Sequence, residues 1–316
     1  MKDNYILGID TSNYTTSVGL VTTDGEVVAN IKRPLPVGEG ARGLRQADAL
    51  FAHTKNLPSA MEELHAVLAG RSIAAIGVSS RPRNVDGSYM PCFLAGVAAA
   101  NSCAAVSHAP LYTFSHQCGH VMAAVHSSGR EDLLDGTPFG AFHVSGGTTE
   151  LLRVRAVENG FSSEILGGTK DLNAGQIIDR IGVALGLKFP CGPELEKLAL
   201  QNTNKVPRRK PSLDGCYANL SGLENMALRL YQETRDTCLV AAFVLEHIGQ
   251  ALLGMAKAYI AVYGEQPIIF AGGVMCNSLI RRILSAELDA AYAEPLLSAD
   301  NAVGIALLAA RRYTQA

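Results

Sequence analysis

With 316 residues, 48% hydrophobic and 18% charged, the chain can bury a large core, and its length points to two domains or lobes. A net charge of −2 gives no overall sign of a nucleic-acid-coating protein, and seven scattered cysteines without a C-x-x-C pair argue against a disulfide framework or a structural zinc cluster. The longest apolar runs, such as Leu94–Ala100 and Leu239–Leu245, fall short of the roughly 20 residues of a membrane span, and no charged leader precedes an apolar stretch, so a cytoplasmic protein with reduced thiols and no membrane partner is expected.

Tyr5–Asp10 and Thr16–Thr22 read as paired strands, and Asp24-Gly25 as the hairpin turn into a third, Glu26–Lys32. Leu50, Leu57, Met61, Leu64 and Leu68 give Gly43–Leu68 a helical spacing; Ile73–Ser79 returns as a buried strand, and Tyr89–Ala105 reads as a helix of small residues. The order then repeats. Strands Phe139–Val144, Glu150–Val157 and Ser162–Gly167 lead to a helix from Asn173 to about Leu185, stopped by Gly186. Helix-rich sequence continues to Tyr263, interrupted by a loop or insertion at Val206–Asp214. A buried strand, Pro267–Phe270, then feeds Ala271-Gly-Gly-Val274 and the amphipathic helix Ser278–Leu288. The polar stretch Ser127–Gly136 is the expected boundary. This gives an α/β chain with an N-terminal lobe, 1–130, and a C-terminal lobe, 131–316, which carries a helical insertion near 187–263 and a final helix able to pack back on the first lobe.

The strand–turn–strand His143-Val-Ser-Gly-Gly-Thr-Thr-Glu-Leu-Leu-Arg-Val154 echoes Ile9-Asp-Thr-Ser-Asn-Tyr-Thr-Thr-Ser-Val-Gly-Leu-Val21. Such an echo suggests duplication, with a cleft between the halves. Turns of Ser, Thr and Gly let a backbone approach a phosphate closely and point N–H donors at it, so a nucleotide-type ligand is the first expectation. Ser145, Gly146 and Gly147 in one turn and Gly272 and Gly273 in another would make two facing loops able to clasp a phosphate chain and sugar.

His116 and His120, four apart, share one face of a helix and suit one metal ion, but two ligands alone make a weak site. Asp300, just ahead of a helix start, is the candidate third ligand; two histidines and a carboxylate leave positions open for water or a phosphate. Asp179 is placed either to accept from ribose hydroxyls or to pair with Arg180 or Lys188. Asn277 is either a plain N-cap or a contact to sugar or base. Arg81 and Arg83 either bind a phosphate or face solvent, and the short basic runs Arg208-Arg-Lys210 and Arg311-Arg312 read as solvated surface.

Six ordered segments together resemble one family, the ASKHA-fold transferases that make threonylcarbamoyladenosine in tRNA, formerly named O-sialoglycoprotein endopeptidases. They are His143–Glu150, Leu166–Leu185, Pro190-Cys-Gly-Pro-Glu-Leu-Glu-Lys197, Ser221-Gly-Leu223, Ala271-Gly-Gly-Val-Met-Cys-Asn277 and Ala299-Asp-Asn-Ala302. The resemblance implies an actin/sugar-kinase/heat-shock-ATPase-like fold of two ribonuclease-H-like lobes around a cleft. It implies an iron or zinc ion on His116, His120 and Asp300. Contacts to ATP or the acyl-adenylate are implied from His143, Val144, Ser145, Gly146, Gly147, Asp179, Gly192 and Asn277. The implied reaction moves the threonylcarbamoyl group from threonylcarbamoyl-adenylate to the adenosine 3′ of the anticodon. Partners implied are tRNA, a small protein of the same fold and an ATPase, with α-helical sequence such as Leu50–Leu68 as the docking face and a homodimer as a further arrangement. Protease chemistry is disfavoured, because Gln117 stands where a His-Glu-x-x-His enzyme needs its general base.

This chain departs from the family in its first half. Asp10-Thr-Ser-Asn-Tyr-Thr-Thr16 replaces the usual Glu-Thr-Ser-Cys-Asp-Glu-Thr, so Tyr14 and Thr15 stand for two acids, and Asp10 and Ser12 remain as the candidate catalytic residues. Cys118 replaces the glutamate between the histidines and is expected to point away from their face. Ser79–Ser88 lacks the Gly-Pro-Gly-Leu turn. The losses imply either a transferase with altered acceptor chemistry or a non-catalytic nucleotide-binding regulator of an active transferase.

Overall fold

A computed structural model describes residues 4–12, 14–36, 44–158, 160–298 and 302–316. The chain divides into two compact units. The first comprises Met1–Glu131, Ala156–Ser162 and Leu296–Ala316, and the second Asp132–Arg155 and Ser163–Pro295.

In the first unit, β1 (Tyr5–Asp10), β2 (Thr15–Thr22) and β3 (Val27–Pro34) form an antiparallel meander. Helix α1 (Gln46–Leu68) leads to β4 (Ile73–Arg81), which pairs parallel with β1; α2 (Phe93–Ser107) leads to β5 (Leu111–Ser115), parallel with β4. The strand order among the described residues is β3-β2-β1-β4-β5. Every residue of β1 is buried, the pattern of a strand covered on both faces. Leu57, Ala60 and Leu64 of α1 and Ala95 and Ala100 of α2 share one core with Leu7, Ile9 and Val78. The opposite face meets α10 (Val303–Gln315), which comes so close that a Cβ on Gly77 would lie 2.7 Å from the carbonyl oxygen of Ile305. Only glycine permits that approach.

Helix α2 begins at Phe93, four residues later than its small-residue pattern predicts. Pro91 lacks the N–H that a helix interior requires and biases Met90 away from helical geometry. Thr11 then fastens the new start to the end of β1: its hydroxyl donates to the Cys92 carbonyl at 3.0 Å and accepts from the Gly96 amide at 3.0 Å. Helix α3 (His116–Ser127) follows β5 directly, with Ser115 as N-cap accepting from the Cys118 amide.

The second unit repeats the plan. β6 (Phe139–Val144) pairs antiparallel with β7 (Thr149–Val157) and parallel with β11 (Ile268–Ala271), which in turn pairs parallel with β12 (Ala290–Tyr292). With β8 (Gly160–Thr169) the order β8-β7-β6-β11-β12 reproduces that of the first sheet. Its helices are α4 (Ala174–Ala184), α5 (Gly192–Leu200), α6 (Ser221–Thr234), α7 (Thr237–Tyr263) and α8 (Ser278–Ser285); a one-turn helix, α9 (Pro295–Ser298), comes after β12. The segment expected as a loop through Asp214 instead supplies β9 (Ser212–Asp214), which with β10 (Tyr217–Asn219) extends the sheet beyond β8. Three-residue strands give no periodicity to read; their pairing comes from the neighbouring edge. Helix α8 likewise stops short of Leu288, because Ala286–Leu288 turns the chain into β12.

Helix α7 is the centre of the second core, with Val240, Val244, Ile248, Leu252 and Tyr259 packed among β6, β11 and α4. It is long and apolar enough by composition to cross a membrane, unlike the short runs noted in the sequence, and 78% of its apolar window is buried inside the protein.

Candidate active site

Three parallel strands of the first unit, β1, β4 and β5, end along one edge, and ligands in such sheets bind beyond the carboxyl ends of the strands. Asp10 closes β1. It is 1% exposed, and a buried carboxylate must be compensated. Its Oδ1 accepts from the Ser12 amide at 2.8 Å and from the Ser79 hydroxyl at 2.9 Å, and its Oδ2 lies 2.6 Å from His116 Nδ1. A carboxylate can only accept, so the His116 proton sits on Nδ1 and the Nε2 lone pair is left for another partner. That Nε2 lies 2.8 Å from Nε2 of His120. The spacing of four on α3 thus brings both rings together, and the carboxylate–histidine pair is the support found behind metal ligands. Asp300, the predicted third ligand, lies outside the described residues. Among the described residues no group of three or more His, Cys, Asp or Glu side chains is arranged to hold a metal ion.

Cys118 is buried, and its thiol donates to the Phe161 carbonyl at 3.5 Å, away from the imidazoles as its place on the helix predicts. Ser12 is 2% exposed and its hydroxyl has no hydrogen-bond partner among the described residues. Tyr14 is partly exposed at the start of β2.

One polar residue of this unit escapes the sequence reading. His53 lies fully buried on α1, its Nδ1 2.8 Å from the Thr16 hydroxyl, which also accepts from Asn56 Nδ2 at 3.3 Å. The Thr16 proton then points to Nδ1, leaving Nε2 as the protonated nitrogen, without a partner among the described residues. Burial lowers its pKa from 6.5 to about 4, against the opposing pull of the Asp10 charge. The signal was present: His53 interrupts the buried stripe Ala49, Leu57, Ala60, Leu64 at helical spacing.

The second unit has a candidate site of its own, made of backbone. The β6–β7 turn closes on itself, with the Ser145 amide donating to the Thr148 carbonyl at 2.7 Å and the Thr148 amide to the Ser145 hydroxyl at 3.2 Å. Gly146 and Gly147 are exposed, and an added Cβ on either would meet nothing. On one side the turn abuts α4: a Cβ on Gly175 would lie 2.6 Å from Gly146 Cα, and Asn173 Nδ2 donates to the Gly147 carbonyl at 2.9 Å. On the other it abuts the end of β11, where Gly272, at φ +101°, has no room for a Cβ against the Val144 carbonyl. Gly273 is open. The two glycine turns therefore do lie side by side, joined by β6–β11 pairing up to His143↔Ala271. His143 is half-buried, whereas the Val144 side chain is wholly in the core, so only its backbone faces the turn.

Asp179 and Gly192 also meet. Asp179 Oδ1 accepts from the Cys191 amide at 2.8 Å, holding the start of α5, while Arg180 pairs instead with Glu224. Burial, then the Asp179 charge, pushes the Cys191 thiol up. Asn277 is a working N-cap: its Oδ1 accepts from the Leu279 and Ile280 amides, both at 3.1 Å. Glu196, absent from the sequence reading, accepts from both the amide and hydroxyl of Ser278 and so ties α5 to α8.

Comparisons with known proteins bear on the family and the fold. Residues 43–307 match the profile of the family "tRNA N6-adenosine threonylcarbamoyltransferase". A protein of that name from Thermus thermophilus is 32% identical over 99% of this chain and 93% of its own length. Among solved structures, component A of (R)-2-hydroxyglutaryl-CoA dehydratase from Acidaminococcus fermentans aligns with a TM-score of 0.58 at 15% identity, over 98% of this chain and 99% of the other. A ROK hexokinase from Thermus thermophilus aligns at 0.50 and 12% identity, over 99% and 100%. At such identities the structural matches bear on fold alone, and the fold is that of the actin, sugar-kinase and heat-shock-ATPase class.

Proposed function

This chain belongs to the tRNA N6-adenosine threonylcarbamoyltransferase family, and from that premise we propose that it transfers the threonylcarbamoyl group of threonylcarbamoyl-adenylate to the exocyclic amine of the adenosine 3′ of the anticodon. The amine nitrogen bonds to the carbamoyl carbon, the bond from that carbon to the phosphate oxygen breaks, AMP departs and the amine proton passes to solvent. The observation that carries this reading is the relay from buried Asp10 through half-buried His116 to His120 at the ends of parallel strands.

The relay fits a divalent ion. Both Nε2 atoms converge, and the Asp10 carboxylate fixes the His116 tautomer that frees its Nε2 for coordination. His116 and His120 would hold iron(II) or zinc, with Asp300 as the third ligand. When bound, the ion supplies Lewis acidity toward the phosphate and carbonyl oxygens of the donor. Asp10 acts as a positioning residue, since its oxygens are already engaged by Ser12, Ser79 and His116. Ser12, with an unmatched buried hydroxyl, is the group best placed to contact a reactant from this turn. In the second unit the open Gly146–Gly147 backbone and Gly273 receive the adenylate, with His143, Asp179 and Gly192 flanking it and Asn277 contributing the amide nitrogen that its cap leaves over.

A second reading has its own observation. Tyr14 and Thr15 bring no carboxylate to the first turn, and Asp10 is occupied, which favours a regulator that binds metal and nucleotide without transfer. Nucleoside mass spectrometry of tRNA decides between them, in cells depleted of their own transferase and carrying this chain or its H116A/H120A variant. Restoration of threonylcarbamoyladenosine by the parent and not the variant is the expected result. Its absence, with the protein soluble and metal-loaded, moves the assignment to the regulator or to another acceptor.

A further inference from the structure

The end of β4 carries a cation that the proposed reaction does not use. β4 slips its register against β5 between Ser79 and Arg81, so that Ser79 faces Phe114 while Arg81 faces Ser115, the cap residue immediately before His116. Neighbouring strands lie about 4.8 Å apart, so the backbone of Arg81 sits one strand spacing from the start of the histidine helix. Bulges of this kind re-aim a side chain, and they recur next to active sites.

Arg81 is half-buried and held in place. Its Nη2 donates to Asn84 Oδ1 at 2.6 Å and its Nη1 to the Ser80 hydroxyl at 3.2 Å; Asn84 in turn donates to the Phe161 carbonyl at 3.3 Å. Both acceptors are neutral. The guanidinium is always charged, it has further N–H donors, and it pairs with no carboxylate among the described residues. A cation drawn partly out of water and fixed by neutral groups is balanced best by an anion brought by a ligand.

We propose that Arg81 binds a phosphate oxyanion at the carboxyl end of β4 and is a specificity-determining residue of this unit. The inference rests on the reading that an adenylate donor and a polynucleotide acceptor are handled here, and the phosphate belongs to one of the two. The planar fork of arginine favours two-point contact with such an oxyanion, which lysine cannot reproduce.

Calorimetric titration of the parent, R81K and R81Q with AMP, and separately with a single-stranded RNA oligonucleotide, tests this. R81Q weakens one ligand about tenfold and R81K by less, since a charged hydrogen bond is lost in the first and only the fork in the second. Loss toward AMP assigns the phosphate to the donor; loss toward RNA assigns it to the acceptor. An N84A variant, which keeps the charge and releases its pose, weakens the same ligand and guards against reading a folding defect as a binding one. Equal affinities of parent and R81Q for both ligands, or no binding of either by the parent, overturn the proposal. Product formation is measured separately, so a protein that binds through Arg81 but modifies nothing refutes the transferase reading and leaves this one standing.

Discussion

The two units share one strand order, yet their candidate site residues are of different material. The first invests side chains: a buried carboxylate, two imidazoles, a buried third histidine and an arginine at a bulge. The second invests backbone: glycine turns stacked against α4 and β11, with side chains spent mainly on caps. Duplicated topology therefore constrains where a site forms and leaves its chemistry open. Substitutions in the first unit should alter chemistry with the fold intact, whereas those at the packed glycines of the second should alter the fold first.

The sharpest break of that comparison is H116A/H120A, which should abolish metal retention, measured by elemental analysis of purified protein, while thermal melting stays cooperative. D10N keeps the shape but weakens the support behind His116, and metal affinity should fall about 10- to 100-fold. Restoring an acid to the first turn by Y14D should raise tRNA modification, by up to about 10²-fold if the acid assists proton transfer; a fall in product would remove Tyr14 from the account of why this chain diverges.

On the second unit, G175A forces a methyl group to within 2.6 Å of Gly146 Cα and should cost about 2 kcal/mol in urea unfolding. G146A meets nothing and should leave the urea midpoint unchanged while weakening AMP binding. Equal destabilisation by the two would show that the turn is tighter than its geometry implies.

His53 gives a pH-dependent effect. Its native pKa of about 4 lies below the unfolded value of 6.5, so between those values the unfolded chain binds more protons. Stability is therefore intact above about pH 6.5 and declines as the pH falls toward 4, by about 2 kcal/mol from this group at 1.36 kcal/mol per unit with allowance for relaxation. The difference in urea midpoint between parent and H53Q should narrow from pH 7 to pH 4.5. A constant difference would mean that His53 does not titrate as its burial implies.

Much of the fold was legible because strands and helices announce themselves by period. The strand–turn–strand echo, the small-residue helix and the α4 helix with its Asn173 cap all follow from spacing and turn chemistry that act over a few residues. The histidine pair was legible for the same reason, four residues being one helical turn. What escaped depended on distant neighbours: the short β9, β10 and β12 strands, the unmatched Nε2 of His53, and the Glu196 clasp on α8.

The sequence by itself determined the α/β class, the glycine turns and the two imidazoles on one helical face, because each is encoded within a local window. Only the tertiary structure decided that Asp10 supports His116 and that Gly175 and Gly272 hold the second turn from both sides. The physical reason is common to both. A carboxylate 106 positions from its histidine, or a glycine that spares room for a backbone far along the chain, takes its meaning from a contact that exists only once the sheets have formed.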